Sequence, residues 1–348
     1  MKSVQLLRIG EPLADRDASI ANPGVLDALV RVEAAGVCRS DLHYRSGTSY
    51  AGPLPLIPGH EVAGRLEHCG SDARELLAER GIDIGSRVSV HYLVSCGHCR
   101  YCMAGHEQFC THGAMVGKHR AGGFAEYLQV PARNLVAVPD AVSTEAAAIM
   151  MCSTATALHA LHKAGLNPGD RVAVFGVGGL GMSAVQLARA MGALEVYAVD
   201  IDQSRLAQAA SYGAITINAR DVDAAEAIRE HTGGGAECVV ELLGLAESID
   251  GAIRSVGPLG RVAIAGIAEH PVPVDTYRDL VGREATIVGV SDHSRAEIEY
   301  ALSLAAKGSL RFDDVITKKL PLEAAAINGV LDSLAGFGPG VRSVVVPT

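Results

Sequence analysis

The sequence predicts an α/β protein made of an irregular β domain, a doubly wound parallel-sheet domain and a short return segment. Three observations carry the prediction. Up to about residue 150, short β-type runs are separated by turn signals such as Asn22-Pro23-Gly24 and Pro58-Gly59. After Pro168-Gly169-Asp170, short apolar runs alternate with helix-like segments, the rhythm of buried parallel strands with helical crossovers. Within that second stretch a glycine-rich turn falls between a strand and a helix. The expected boundaries are 1–153, with a cysteine-rich lobe at about 92–113, then 154–291, then 292–348.

The elements follow in order. Met1–Gly10 has no long apolar stretch and reads as a first strand, not an export signal. Val4–Ile9, Ala28–Ala34, Glu61–Glu67, Arg87–His91 and Glu126–Pro131 are the β-type runs of the first domain. Between them, Ser71–Ile84 is long for a turn, and Ala73–Arg80 has the amphipathic spacing of a surface helix. Ala146–Ala164 is apolar but broken by Ser153, Thr154, Thr156, His159 and His162, so it reads as a buried helix and not a membrane span. Val172–Gly176, Val196–Val199, Cys238–Leu242, Val262–Gly266 and Thr286–Val290 are the strands of the second domain. Met182–Met191 and Arg205–Tyr212 are among its helices. A helix at Arg295–Ala306 and a strand at Arg342–Val346 close the chain.

Composition narrows the class of function. Of 348 residues, 49% are hydrophobic and 20% charged, a globular profile. The formal net charge of −9, with no basic cluster to offset it, argues against nucleic acid and anionic membranes as partners. Of eight cysteines, four fall between 96 and 110; in a chain of cytoplasmic type such density points to metal and not to disulfides.

Val172–Phe175 runs into Gly176-Val-Gly178-Gly179-Leu180-Gly181 and then a helical pattern. Backbone N–H groups and the helix dipole at such a turn can hold a pyrophosphate, as in a Rossmann domain. The next strand ends at Asp200, nineteen residues after Gly181, where a carboxylate can accept from ribose hydroxyls. An acid there repels a 2′-phosphate, so the reading is NAD over NADP; the competing role for Asp200 is a cap on the next helix. Arg205, one turn further on, can approach the same ribose or simply face solvent.

Cys96-x2-Cys99-x2-Cys102-x7-Cys110 is a spacing that wraps one tetrahedral Zn²⁺. Four thiolates leave no open position, so the site would be structural. An iron–sulfur cluster is the competitor, without the proline-flanked pattern that usually marks one. His98, His106 and His112 lie nearby and read as surface residues, and Cys69 and Cys238 as small hydrophobes.

With these motifs in view, the chain resembles the zinc-containing medium-chain dehydrogenase/reductase family, alcohol dehydrogenase type. The resemblance runs over essentially the whole length. It is carried by Gly36-Val-Cys38-Arg39-Ser40-Asp41-Leu-His43, Pro58-Gly59-His60-Glu61-Val-Ala-Gly64, the cysteine lobe, Gly122-Gly-Phe-Ala-Glu-Tyr127, Cys152 in a helix-opening segment, and the glycine turn. It implies a GroES-like catalytic domain joined to a Rossmann domain, NAD as cofactor and two zinc ions per chain. It implies Cys38, His60 and Cys152 as ligands of a catalytic zinc, with a fourth position open for water or substrate. Asp41 would orient His60 through its other ring nitrogen, and Glu61 would stand beside the ligands or join them transiently. Ser40 and His43 would relay the alcohol proton to solvent. Arg39 and Arg342 would neutralise the pyrophosphate, and Leu180 and Thr156 would border the nicotinamide.

The resemblance implies a primary or secondary alcohol as substrate, aromatic or cyclic ones included, with Tyr50 and Tyr92 near the family's pocket-lining positions; the loop Tyr44–Pro55 is longer than in the commonest forms. A polyol dehydrogenase is one alternative, weighed down by Cys152 where those enzymes usually supply a carboxylate. A zinc-free quinone or enone reductase on the same fold is another, weighed down by the paired Cys38 and His60. A non-catalytic dinucleotide-binding protein is the third. Relatives with the cysteine lobe are commonly homotetramers, with a dimer through a shared sheet edge as the lesser expectation.

Overall fold

The protein is described by a computed structural model covering every residue except 313, 337, 339 and 348. The chain divides into two compact units. One comprises Met1–Cys152, Ser294–Lys307 and Phe312–Thr348; the other comprises Ser153–His293 and Gly308–Arg311. Gly308–Arg311, expected with the C-terminal return, sides with the second unit. The reason is a reciprocal pair of hydrogen bonds, Arg311 N to Gln186 Oε1 at 2.7 Å and Gln186 Nε2 to Arg311 O at 3.0 Å.

The first unit is organised by a seven-stranded sheet. Its path runs Ile316–Leu320, Arg342–Val345, Asp27–Val37, Glu61–Cys69, Arg87–Val90, Leu135–Ala137, with Tyr127–Pro131 also on Asp27–Val37. Asp27–Val37 is the hub, antiparallel to three neighbours. It alternates as period-2 sequence demands: Ala28, Val30 and Val32 are buried with Leu66, Val88, Phe124 and Leu128. The predicted helix after residue 70 is present as Ser71–Ala78, with Ala73 and Leu77 on its buried face.

The second unit holds a six-stranded parallel sheet in the order Ile215–Asn218, Glu195–Asp200, Arg171–Phe175, Ala236–Glu241, Val256–Ile264, Thr286–Gly289. Sequence order reverses between Arg171–Phe175 and Ala236–Glu241. That reversal is the switch point at which doubly wound sheets bind ligands, outside the carboxyl ends of the strands. The strand Ile215–Asn218 was not anticipated: at the sheet edge it is only partly buried, so it shows no continuous apolar run. The apolar segment around Cys152 is helical as expected, but in three pieces, Thr144–Ile149, a π-helical turn at Met150–Thr154, and Ala155–Lys163. No helix among the described residues is long and apolar enough to cross a membrane.

Candidate active site

The first unit gathers Cys38, His60, Glu61 and Cys152 into one buried cluster whose potential ligand atoms lie within 4.8 Å of each other. Four elements meet there. Cys38 follows the end of Asp27–Val37 and caps the helix Arg39–Ser46; its N–H donates to Asp41 Oδ2 at 2.9 Å. The other oxygen of Asp41 accepts from Gly59 N at 3.1 Å, which pins the loop carrying His60 to that same helix. Gly36 is obligatory here, because a Cβ would collide with the Glu61 carboxylate on the paired strand. Cys152 lies inside the π-helical turn, not at a helix opening as expected; a wide turn of this kind re-aims a side chain within an otherwise regular helix.

Charge in the cluster is arranged for a cation. Cys152, His60 and Arg342 hold the Cys38 thiol well below its ordinary range, although burial acts the other way. Burial also opposes a charged His60, yet the Asp41 carboxylate and Cys38 overcome it and raise the imidazole to about 10. Asp41 Oδ1 stands 3.4 Å from His60 Nδ1, an ion-pair distance without hydrogen-bond geometry. A sulfur pulled toward thiolate and a ring pulled toward imidazolium together describe protons standing where a metal would sit. Two sulfurs and an imidazole are also a donor set suited to Zn²⁺. Glu61 Oε2 is paired with the buried guanidinium of Arg342, and Oε1, equally buried, has no hydrogen-bond partner among the described residues. The cluster therefore fits a metal, with Glu61 held at its side.

Of the other expected residues, Arg342 and Tyr92 pack against this group. Arg342, expected at a pyrophosphate, is buried against Glu61, where burial lowers its pKa. Its strand runs beside Asp27–Val37, and Ser343 registers with Val37, so its side chain is delivered to the cluster. Tyr50 lies in the loop after the helix Arg39–Ser46 and is 75% exposed. Tyr92 is 1% exposed and sits edge-on to His60 at 5.2 Å between ring centroids. Tyr44, not singled out from the sequence, is buried on the other side of the imidazole at 6.3 Å. Its signal was available: Asp41 and Tyr44 are three apart on one helix and so share its buried face. Ser40 Oγ lies 3.8 Å from Cys38 Sγ, within a sulfur hydrogen bond; Arg39 and His43 are half-buried on the same helix.

The cysteine lobe forms a second group, Cys96, Cys99, Cys102 and Cys110, and all four are half-buried. Sulfur separations are 3.5 Å for Cys99–Cys102 and 4.0 Å for Cys96–Cys102. Those values rule out disulfides and match the edge of a tetrahedron with metal–sulfur bonds of about 2.3 Å, which is roughly 3.8 Å. Backbone N–H groups point at the sulfurs, Cys96 N at Cys110 Sγ (3.1 Å) and Cys99 N at Cys96 Sγ (3.3 Å). Backbone N–H groups of Cys102 and Thr111 pull Cys99 down to about 5, while burial pushes Cys102 up to about 11. The lobe is tied to its unit by Glu107, whose Oε1 lies 3.3 Å from His91 Nε2 and accepts from Arg295 N at 2.6 Å.

In the second unit the glycine turn has the expected form. The helix Gly179–Ala190 starts at it, a Cβ on Gly181 would strike the Gly176 carbonyl, and a Cβ on Gly178 would meet nothing. Leu180 lies in its first turn and Thr156 in Ala155–Lys163, both half-buried. Asp200 ends its strand with Oδ2 accepting from Val177 N (2.9 Å) and Oδ1 from Ile201 N and Asp202 N. A carboxylate offers about four lone-pair sites, so Oδ2 keeps acceptor capacity for a ribose hydroxyl. The helix cap is Asp202, which accepts from Ser204 N and Arg205 N; Asp200 is not needed for it.

Comparison with known proteins agrees with this architecture. Residues 24–140 match the family model of the alcohol dehydrogenase GroES-like domain, and 179–307 that of zinc-binding dehydrogenases. An alcohol dehydrogenase of Geobacillus stearothermophilus is 36% identical over 96% of both chains. An NAD-dependent alcohol dehydrogenase of Sulfolobus acidocaldarius is 32% identical, again over 96% of both. Among solved structures, a chain from Sinorhizobium meliloti described provisionally as a zinc-binding dehydrogenase, bound to NADP, superposes with a TM-score of 0.90 at 30% identity over 99% of both chains. The protein therefore belongs to the zinc-containing medium-chain dehydrogenase/reductase family, alcohol dehydrogenase type. It is an oxidoreductase that works on alcohols with a nicotinamide dinucleotide, NAD(P).

Proposed function

We propose that this enzyme is a zinc-dependent, NAD-linked alcohol dehydrogenase that interconverts a primary or secondary alcohol and its aldehyde or ketone. The observation that carries the reading is the buried set of Cys38, His60 and Cys152, with Glu61 drawn aside by Arg342. Zn²⁺ bound there would supply Lewis acidity, easing loss of the alcohol proton. Cys38 and Cys152 would hold it as thiolates and His60 through Nε2, since Asp41 faces Nδ1. Tyr44 and Tyr92 flank the imidazole and keep water from it. Ser40 Oγ accepts the alcohol proton and His43 passes it to solvent; NAD bound at the glycine turn would supply the acceptor for the carbinol hydride. Asp200 favours NAD by accepting from ribose hydroxyls and repelling a 2′-phosphate, with Arg205 nearby; Arg39 faces the pyrophosphate. The lobe cysteines hold a second, structural zinc.

The test is a panel of alcohols followed by NADH absorbance, with NAD⁺ and NADP⁺ in parallel, on protein of measured zinc content. About two zinc per chain and NAD⁺ preference support the reading; absence of zinc from active protein would overturn it. His43→Gln should slow alcohol oxidation most near and below neutral pH, with partial rescue by diffusible base, and an unchanged pH–rate profile would remove His43 from the relay. Assembly as a homotetramer, or as a dimer through the edge strand Thr286–Gly289, is checked by light scattering.

A further inference from the structure

At the switch point of the parallel sheet, two acidic residues end the strands on either side of Arg171–Phe175. One is Asp200; the other is Glu241, which registers with Phe175 and is fully buried. Its Oε1 accepts from Leu243 N at 3.0 Å, Gly244 N at 2.9 Å and Ser248 Oγ at 2.6 Å. Its backbone carbonyl accepts from Ala265 N (2.9 Å) and Gly266 N (3.2 Å) of the next strand-end loop. Oε2 faces Gly266, where a Cβ would meet it at 2.5 Å.

These bonds reach the glycine turn directly. Leu243 is the neighbour that a Cβ on Gly176 would touch, at 3.0 Å, and Leu242 N donates to Phe175 O at 3.0 Å. Gly244 in turn packs on the backbone of Ile267, with a would-be Cβ 2.6 Å from Ile267 N. The buried carboxyl thus fixes the loop 242–244, and that loop in turn rests on Gly176 and on Ile267 at the crevice where the sheet's connections diverge. A loop closed only by glycine contacts would need an external brace to hold its shape.

We propose that Glu241 is a positioning residue for the dinucleotide: it sets the loop Leu242–Gly244 against the glycine turn, so that the crevice has its binding shape before the cofactor arrives. The inference rests on the reading that the glycine turn takes NAD. Its energetic content is preorganisation, binding free energy not spent on ordering the loop. The group needed is an acceptor at Oε1, at full side-chain length; a charge is not, and burial shifts this carboxyl's pKa upward in any case.

The experiment is fluorescence titration of the purified full-length enzyme with NADH, for wild type, Glu241→Gln, Glu241→Asp and Glu241→Ala, with thermal melts on the same samples. Saturable binding by wild type is the control on the NAD reading, and its absence would sink that reading. Given it, Glu241→Gln, which keeps the acceptor and the reach, is expected within about threefold of wild-type Kd. Glu241→Asp, which retracts the acceptor, should raise Kd roughly tenfold, and Glu241→Ala at least as much. Activity at saturating NAD⁺ should stay within about twofold for any variant folded at the assay temperature. A folded Asp variant with unchanged Kd would overturn the proposal, as would equal weakening by Gln and Asp. Should the Ala variant not fold, the Gln–Asp pair still decides.

Discussion

The two thiol clusters of the first unit reach similar sulfur geometry by opposite routes. In the lobe, Cys96, Cys99, Cys102 and Cys110 are sequence neighbours, half-buried, with sulfurs approached by local backbone N–H groups. In the other cluster Cys38, His60 and Cys152 come from a strand end, a loop and a π-helical turn, and all are buried. A metal in the lobe substitutes for missing fold, whereas in the buried cluster the fold substitutes for missing sequence proximity. The first should matter to stability, the second to chemistry.

Four measurements break or sharpen that contrast. The largest effect belongs to Cys152→Ala: alcohol oxidation should fall by at least ~10³-fold, zinc per chain from about two to about one, and the melting temperature should barely move. If stability collapses instead, the contrast is wrong. Cys102→Ser should give the mirror pattern, one zinc lost with a fall in Tm of roughly 5 °C or more, and the fraction still folded active. Between these lies Asp41→Asn. It keeps one acceptor for the backbone N–H groups of Cys38 and Gly59 but removes the charge facing His60; affinity of the buried site for zinc, read by competition with a chelator, should drop ~10–100-fold.

The smallest effect concerns how the lobe is attached. His91 holds the Glu107 carboxyl below the ordinary carboxylate range, with Arg295 assisting. A depressed folded-state pKa means that the ionised form stabilises the fold above the unfolded value and that this is lost as pH falls through the folded value. Glu107→Gln should therefore lower Tm by roughly 2 °C at pH 7, with the difference from wild type closing below about pH 4. A difference that persists in acid would mean that charge is not what joins the lobe to its unit.

How much could be read in advance follows the same contrast. The lobe and the glycine turn are each written within a short stretch, so spacing identified the first and spacing with its strand–helix context the second, and the structure adds distances. Cys38, His60 and Cys152 are more than a hundred residues apart at the extremes, and only a whole-chain resemblance could assemble them. What sequence could not convey was direction. The pairing of Arg342 with Glu61 could not be foreseen, because a final strand offers no sign of what its neighbour carries; register against Asp27–Val37 brings the two together. Tyr50 and Tyr44 were indistinguishable by composition, and the helix Arg39–Ser46 buries only the second. Ile215–Asn218 escaped notice because an edge strand need not be apolar.

The position of Arg342–Val345 also bears on how the molecule is made. This strand lies along Asp27–Val37 inside the first unit's sheet, yet the whole second unit separates the two in sequence. The second unit's strands are contiguous in the chain and pair at short sequence separation, whereas the first unit's sheet must join strands from both flanks of that unit, a slower kind of pairing. Without Arg342–Val345, the Ala35–Val37 end of Asp27–Val37 would show a row of unpaired N–H and C=O groups to any passing strand.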